Sequence, residues 1–128
     1  MRAVDTNVLV RLVTRDDLRQ VRAAEAFVAK GAWVSHLVLV ESMWVLSSVY
    51  ERGPSEIATA VKMLLSHKHL TLQDPDVVVV ALAQYLERPT IGFSDCLVLE
   101  VARKAGHLPL GTFDRNLSKL DDTQRLVG

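Results

Sequence analysis

Arg2-Ala3-Val4-Asp5-Thr6-Asn7-Val8-Leu9-Val10 is the stretch whose reading decides the fold. Arg2-Ala3-Val4 is a short apolar run, and Asp5-Thr6-Asn7 interrupts it at once. Apolar periodicity then resumes through Val8-Leu9-Val10 and Leu12-Val13. The pattern predicts a brief parallel strand, a tight exit and a helix. Asp5 then stands at the carboxyl end of the strand, where open α/β sheets place their ligand sites. Asp, Thr and Asn are also good helix N-caps, so Asp5 taken alone reads better as a cap than as a ligand. Three more acids shift that balance: Glu41, Asp95 and Asp114 fall where a parallel sheet would aim them at the same spot.

The length of 128 residues fits one domain with a core of its own. An apolar fraction of 49% points to a large buried share, or to apolar surface hidden in a partner. Fifteen basic and fifteen acidic residues cancel, so net charge does not announce a nucleic-acid binder. If a metal holds four of the acids, the remaining surface is net basic. Cys96 is alone, which rules out an intrachain disulfide and suits a reducing cytoplasm. No signal peptide is legible, and the longest apolar run, Val77 to Ala83, is far short of the ~20 residues that span a bilayer. The expected location is the cytoplasm.

Along the chain, Thr6 or Asn7 is expected to cap a first helix running to about Val13, and Asp16-Asp17 to open a second that reaches about Lys30. Leu18, Val21, Ala24, Phe27 and Val28 share a face of the second helix. Arg15, Arg19 and Arg22 read as a solvated face; the sharper reading is a phosphate-facing rim. Trp33-Val34 is expected to be a short buried strand, and Ser35 caps a helix from His36 to Tyr50 that is apolar nearly all round. Such a helix is expected to be buried, and a lone ionised Glu41 inside it would cost several kcal/mol unless paired, protonated or bound to metal. Leu37, Trp44 and Ser48 would share its face, looking into a polar site.

Gly53-Pro54 starts another helix, and Leu70-Thr71-Leu72 alternates as a strand. His67 and His69 read as solvated loop residues. Asp74-Pro75-Asp76 is a helix start, so the four valines that follow are read as helical, with Asp74 and Asp76 as capping groups. Ser94 is expected to cap a helix that carries Leu97, Val98, Val101 and Ala102 and stops at Gly106, which leaves Asp95 free for chemistry. Cys96 is a small buried filler. Leu108 to Thr112 reads as the last parallel strand, with Asp114 at the same station as Asp5, and Arg125 to Val127 as an edge strand.

Strands alternating with helices predict an α/β fold, a short parallel sheet with helices on both faces. All four acids would then lie on its carboxyl edge. Two carboxylates ~4 Å apart repel by ~4 kcal/mol at an effective dielectric of 20. A pocket of four must take up protons or a cation, and all-oxygen ligation selects Mg²⁺ or Mn²⁺. Such ions serve phosphodiester hydrolysis by in-line attack of an activated water on phosphorus. The acids would be ligands first, with Glu41 or Asp114 orienting the water. Thr6, Asn7, Thr112 and Asn116 would hydrogen-bond the carboxylates. Arg11, Arg15 and Arg115 are candidates for the nucleic-acid backbone.

Val4-Asp5-Thr6-Asn7-Val8-Leu9, Val40-Glu41-Ser42-Met43-Trp44-Val45-Leu46, Phe93-Ser94-Asp95-Cys96 and Thr112-Phe113-Asp114 together resemble the signature stretches of the PIN-domain ribonucleases, and within them the VapC toxins of toxin–antitoxin pairs. The resemblance spans the whole chain and implies a single PIN-like nuclease domain over residues 1–128. It implies an endoribonuclease dependent on Mg²⁺ or Mn²⁺, a homodimer, and neutralisation by a VapB-type antitoxin. It also implies an acidic pocket of Asp5, Glu41, Asp95 and Asp114, with Asp5, Asp95 and Asp114 as metal ligands. Asn116 stands where some relatives offer another acid, which leaves one ion or two open. Two alternatives remain. One is a PIN-like domain that binds RNA or a partner without cutting. The other is a phosphoacceptor receiver, which would want two acids after the first strand and a lysine after the last, where this chain has one acid and Arg115-Asn116.

Overall fold

The computed structural model describes residues 1–128. It is of the α/β class, with six α-helices and short strands that all pair in parallel. Contacts divide the chain into two compact units, Met1–Pro75 and Asp76–Gly128. No helix is long and apolar enough to cross a membrane.

The first unit holds β1 (Arg2–Ala3), α1 (Thr6–Thr14), α2 (Leu18–Val28), β2 (Ala32–Val34), α3 (His36–Ser48), α4 (Pro54–Ser66) and β3 (Leu70–Leu72). The strands form one sheet in the order β1-β2-β3, with Ala3 beside Trp33 and Trp33 beside Thr71. Parallel neighbours need a crossover, and here each crossover is a pair of helices. The core is aliphatic: Leu9, Val21, Val34, Leu39, Leu46, Val61 and Leu64 are almost fully buried. Local signals set the helix ends. Ser35 Oγ accepts from the Val38 N–H at 3.1 Å, and Asp17 Oδ1 from the Gln20 N–H at 3.2 Å. Gly31 takes a φ of 91°, a left-handed turn that a side chain would strain, just after α2.

Several expectations are corrected here. Asp5, not Thr6 or Asn7, is the N-cap of α1. Leu18 is exposed at the start of α2. His67 and His69 are half-buried, and His67 Nδ1 accepts from the His69 N–H at 3.1 Å. The largest correction concerns α3. Leu39, Ser42, Met43 and Leu46 are buried, but Leu37 is 79% and Trp44 64% exposed, and Glu41 between them faces solvent too. An apolar sequence all round a helix does not guarantee neighbours all round it. The expected desolvation cost of Glu41 therefore does not arise.

The second unit begins in the first turn of α5 (Pro75–Glu87) and continues through α6 (Phe93–Ala105), β4 (Leu110–Thr112) and β5 (Thr123–Arg125). A single 3₁₀ turn, Pro89–Ile91, leads into α6. The four valines are helical, as Pro75 dictates: Val77 and Val78 are buried while Val79 and Val80 are exposed, as steps of 100° around a helix require. Asp76 does more than cap, since both its oxygens bind Lys104 Nζ at 3.2 Å. That hydrogen bond is the main cause holding the Asp76 carboxyl below its ordinary range.

In α6 the buried face is Phe93, Cys96, Leu97, Leu99 and Glu100, while Val98 and Val101 are exposed. Gly92, not Ser94, is the N-cap, and its φ of 87° is open to glycine alone at little cost. Gly106 ends the helix as expected, with φ 80°. Strand β4 does not extend the β1-β2-β3 sheet. It pairs with β5, which lies two residues upstream of the expected Arg125 to Val127, to form a separate two-stranded sheet. The apolar run Leu108 to Thr112 carried a strand signal but no label for its partner.

Candidate active site

In the first unit, Asp5 sits where β1 ends and α1 begins. Its backbone is extended (φ −90°, ψ 168°), and its Oδ1 accepts from the Thr6 N–H at 2.7 Å. Capping uses that one oxygen. Asp5 and Glu41 line the same pocket of about 340 Å³, with Asn7, Arg11 and Tyr50 among its walls. Sequence reasoning placed Arg11 near a nucleic acid but missed what holds it. Arg11 Nη1 donates to Asp16 Oδ1, and the Tyr50 hydroxyl donates to Asp16 Oδ2 at 3.0 Å. Thr14 Oγ1 donates to the same carboxylate at 2.9 Å. The hydrogen bond from Thr14, followed by that from Arg11, pulls the Asp16 carboxyl down to about 2. The guanidinium is in turn held charged, chiefly by its hydrogen bond to Asp16. The only signal for this latch is the run Arg15-Asp16-Asp17, which names a helix start and says nothing of Tyr50.

In the second unit, Asp95 lies in the first turn of α6, partly buried. Burial raises its pKa, and the negative charge of Asp114 raises it further. Asp114 follows β4 and is exposed. Its Oδ1 accepts from the Leu117 N–H at 2.8 Å, and its own N–H donates to Thr112 Oγ1 at 3.0 Å. Asp114 thus accepts from the first amide of the short turn Leu117–Lys119, whose N-cap position is Asn116. Thr112 steadies the backbone of Asp114, not its carboxylate, and Thr6 serves Asp5 through its amide. The side chains of Asn7 and Asn116 donate to no carboxylate. Asp5 and Glu41 belong to the first unit and Asp95 and Asp114 to the second, and nowhere in the chain do three or more His, Cys, Asp or Glu side chains form one metal-binding group, so the expected four-acid pocket is not seen as a single cluster.

The signature of the PIN domain matches residues 2–123, across both units. The chain belongs to the PIN domain family. No curated protein and no solved structure matches it. PIN domains are generally nucleases that use divalent metals, and membership sets aside the phosphoacceptor reading. The four signature acids are all carboxylates, the type of group that Mg²⁺ and Mn²⁺ prefer. Burial first, and the charge of Asp114 second, favour the protonated form of Asp95, and a nearby cation would oppose both.

A charged residue outside the acid set also escaped sequence reasoning. Glu100 is 7% exposed and accepts from Arg103 Nη1 at 2.6 Å and Gln84 Nε2 at 3.2 Å. Arg103 goes on to Asp122 at 3.1 Å and the Asp121 carbonyl at 2.8 Å. This network ties the stretch before β5 to α6. Its i,i+3 spacing was visible in the sequence; its burial was not.

Proposed function

We propose that this PIN domain is a metal-dependent endoribonuclease that cuts RNA phosphodiester bonds, and that its two units work as one domain. Asp5, Glu41, Asp95 and Asp114 would act together, with Asp5, Asp95 and Asp114 holding Mg²⁺ or Mn²⁺. When bound, such an ion polarises the phosphate and supplies a nucleophile at neutral pH. Glu41 or Asp114 orients the attacking water. Arg11, fixed by Asp16 and Tyr50, offers positive charge beside Asp5 and Glu41. The observation that carries this reading is the pairing of the acids: Asp5 with Glu41 in one pocket, and Asp95 within reach of the charge of Asp114.

The finer role is that of a VapC-type toxin, working in the cytoplasm as a homodimer and silenced by a VapB-type antitoxin. Support for it is the resemblance of the four acid-bearing stretches. The test is cleavage of structured RNA by purified protein with Mg²⁺, with Mn²⁺ and with chelator. Cutting with either metal, lost in Asp5→Ala and Asp95→Ala, supports the reading. RNA binding without cutting in any metal would favour a PIN domain that only binds. Growth arrest on expression, absent with Asp5→Ala, tests the toxin role separately.

A further inference from the structure

Helices α1 and α2 do not close on one another completely. The stripe of α2 that faces α1 is Gln20, Ala23, Ala24 and Phe27, spaced as successive turns of one helical face. Two alanines at its middle leave a hollow where leucines would fill it. The result is a cleft of about 440 Å³, within the usual range for ligand sites. From α1 it is lined by Asn7, Val8 and Arg11. Asn7 and Arg11 also line the pocket that contains Asp5 and Glu41, so the two cavities share a wall.

We propose that this cleft receives one nucleobase of the RNA whose phosphate lies beside Asp5 and Glu41. The inference rests on the nuclease reading and adds to it a subsite for a base. Its chemistry suits a flat ring with a polar edge. Val8, Ala23, Ala24 and Phe27 give apolar walls, and the carboxamides of Asn7 and Gln20 each carry both a donor and an acceptor. Unstacked bases are recognised in this way, by an aromatic neighbour and hydrogen bonds to their edges. Phe27 is already fixed: the Arg2 guanidinium covers its ring at 4.0 Å and donates to its carbonyl at 2.7 Å. An ordered wall loses little freedom when a ring packs on it. No acidic side chain lines this cleft, in contrast to its neighbour.

The test uses the isotope-labelled full chain in metal-free buffer and follows the carboxamide signals of Asn7 and Gln20 by NMR. Each ribonucleoside 5′-monophosphate is titrated in turn, with ribose 5-phosphate as control. Saturable shifts at both carboxamides are expected for at least one base, and none at Gln20 with the control. Ala23→Leu fills the cleft from an exposed position on α2 and should abolish the shift while the remaining spectrum stays that of the folded protein. No saturable shift with any nucleotide, or the same shift with ribose 5-phosphate, overturns the proposal and assigns the cleft to a protein side chain or helix, or to no ligand. Cleavage of a random-sequence RNA pool gives a second arm. There Gln20→Ala should weaken the preference at one position by about 5-fold, the worth of roughly one hydrogen bond; an unchanged preference counts against the subsite. If the wild type cuts no RNA, the nuclease reading fails while the titration still decides the cleft.

Discussion

The two carboxylate pairs differ in how the chain keeps them. Asp5 and Glu41 are exposed, and Arg11 stands in the wall of their pocket. Asp95 is partly buried, and the charge it feels is that of Asp114. The guanidinium in that wall is itself paired with Asp16. Two acids with one of them desolvated hold repulsion that only a proton or a cation removes. The contrast teaches that four similar signature residues need not be four similar ligands. On the proposed reading the partly buried Asp95 would gain most from an ion, while the pocket of Asp5 and Glu41 shares Asn7 and Arg11 with the proposed base subsite.

The largest expected effect tests whether both pairs are indispensable. Asp5→Ala and Asp95→Ala should each lower metal-dependent RNA cleavage by about 10³-fold, equivalent to about 4 kcal/mol of transition-state stabilisation. Single-turnover cleavage rates measure this, and a variant that keeps wild-type rates would remove its pair from the site. A smaller effect belongs to the Arg11 latch. Asp16→Ala frees the guanidinium, and about a 10-fold loss in kcat/KM for RNA is expected, carried mainly by KM because binding and not chemistry is disturbed. An equal loss in kcat alone would show that Arg11 acts on the reaction itself.

Stability sharpens the same contrast with smaller changes. The folded-state pKa of Asp95 lies above its ordinary value, so the ionised form weakens the metal-free fold at neutral pH. Asp95→Asn should therefore raise Tm in chelator, and the gain should shrink as pH falls through the Asp95 pKa, where the wild-type carboxyl takes up its proton. A Tm unchanged or lowered at pH 7 would contradict a carboxylate disfavoured first by burial and second by Asp114. The sign is opposite for Asp16, whose folded-state pKa is pulled from 3.8 to about 2. Its contribution is present above about pH 4 and fades as pH falls toward 2. Asp16→Asn should lower Tm slightly at pH 7 and progressively less in acid.

Much of this arrangement was legible before any coordinates. Asp5-Thr6-Asn7 after a short apolar run spelled out strand, exit and helix, because capping chemistry and hydrophobic periodicity are both local. The same holds for Ser35, Pro75 and Gly106, each of which ends or starts the helix expected of it. What escaped depended on partners distant in sequence. Periodicity along α3 reports apolar residues without saying which are covered, so Glu41 was expected to be desolvated and is instead exposed. A five-residue apolar run cannot name the strand beside it, so β4 was expected in the main sheet and pairs with β5. Tyr50 is 34 residues from Asp16, and nothing near either position signals the other. Of the site, residue types and their stations in the chain were legible. Exposure, hydrogen-bond partners and the latch around Arg11 required the folded chain.

The proposal that carboxylates from both units serve one ion is tested most directly by a double-mutant cycle on metal binding. Mn²⁺ affinity is measured by calorimetry for the wild type, Asp5→Asn, Asp95→Asn and the double variant. One shared ion predicts a single site in the wild type, a loss of about 100-fold from each single change, and a double variant far less affected than the product of the two losses, because residues on one ligand are strongly coupled. Two independent Mn²⁺ sites, each removed by its own substitution with losses that multiply, would contradict it.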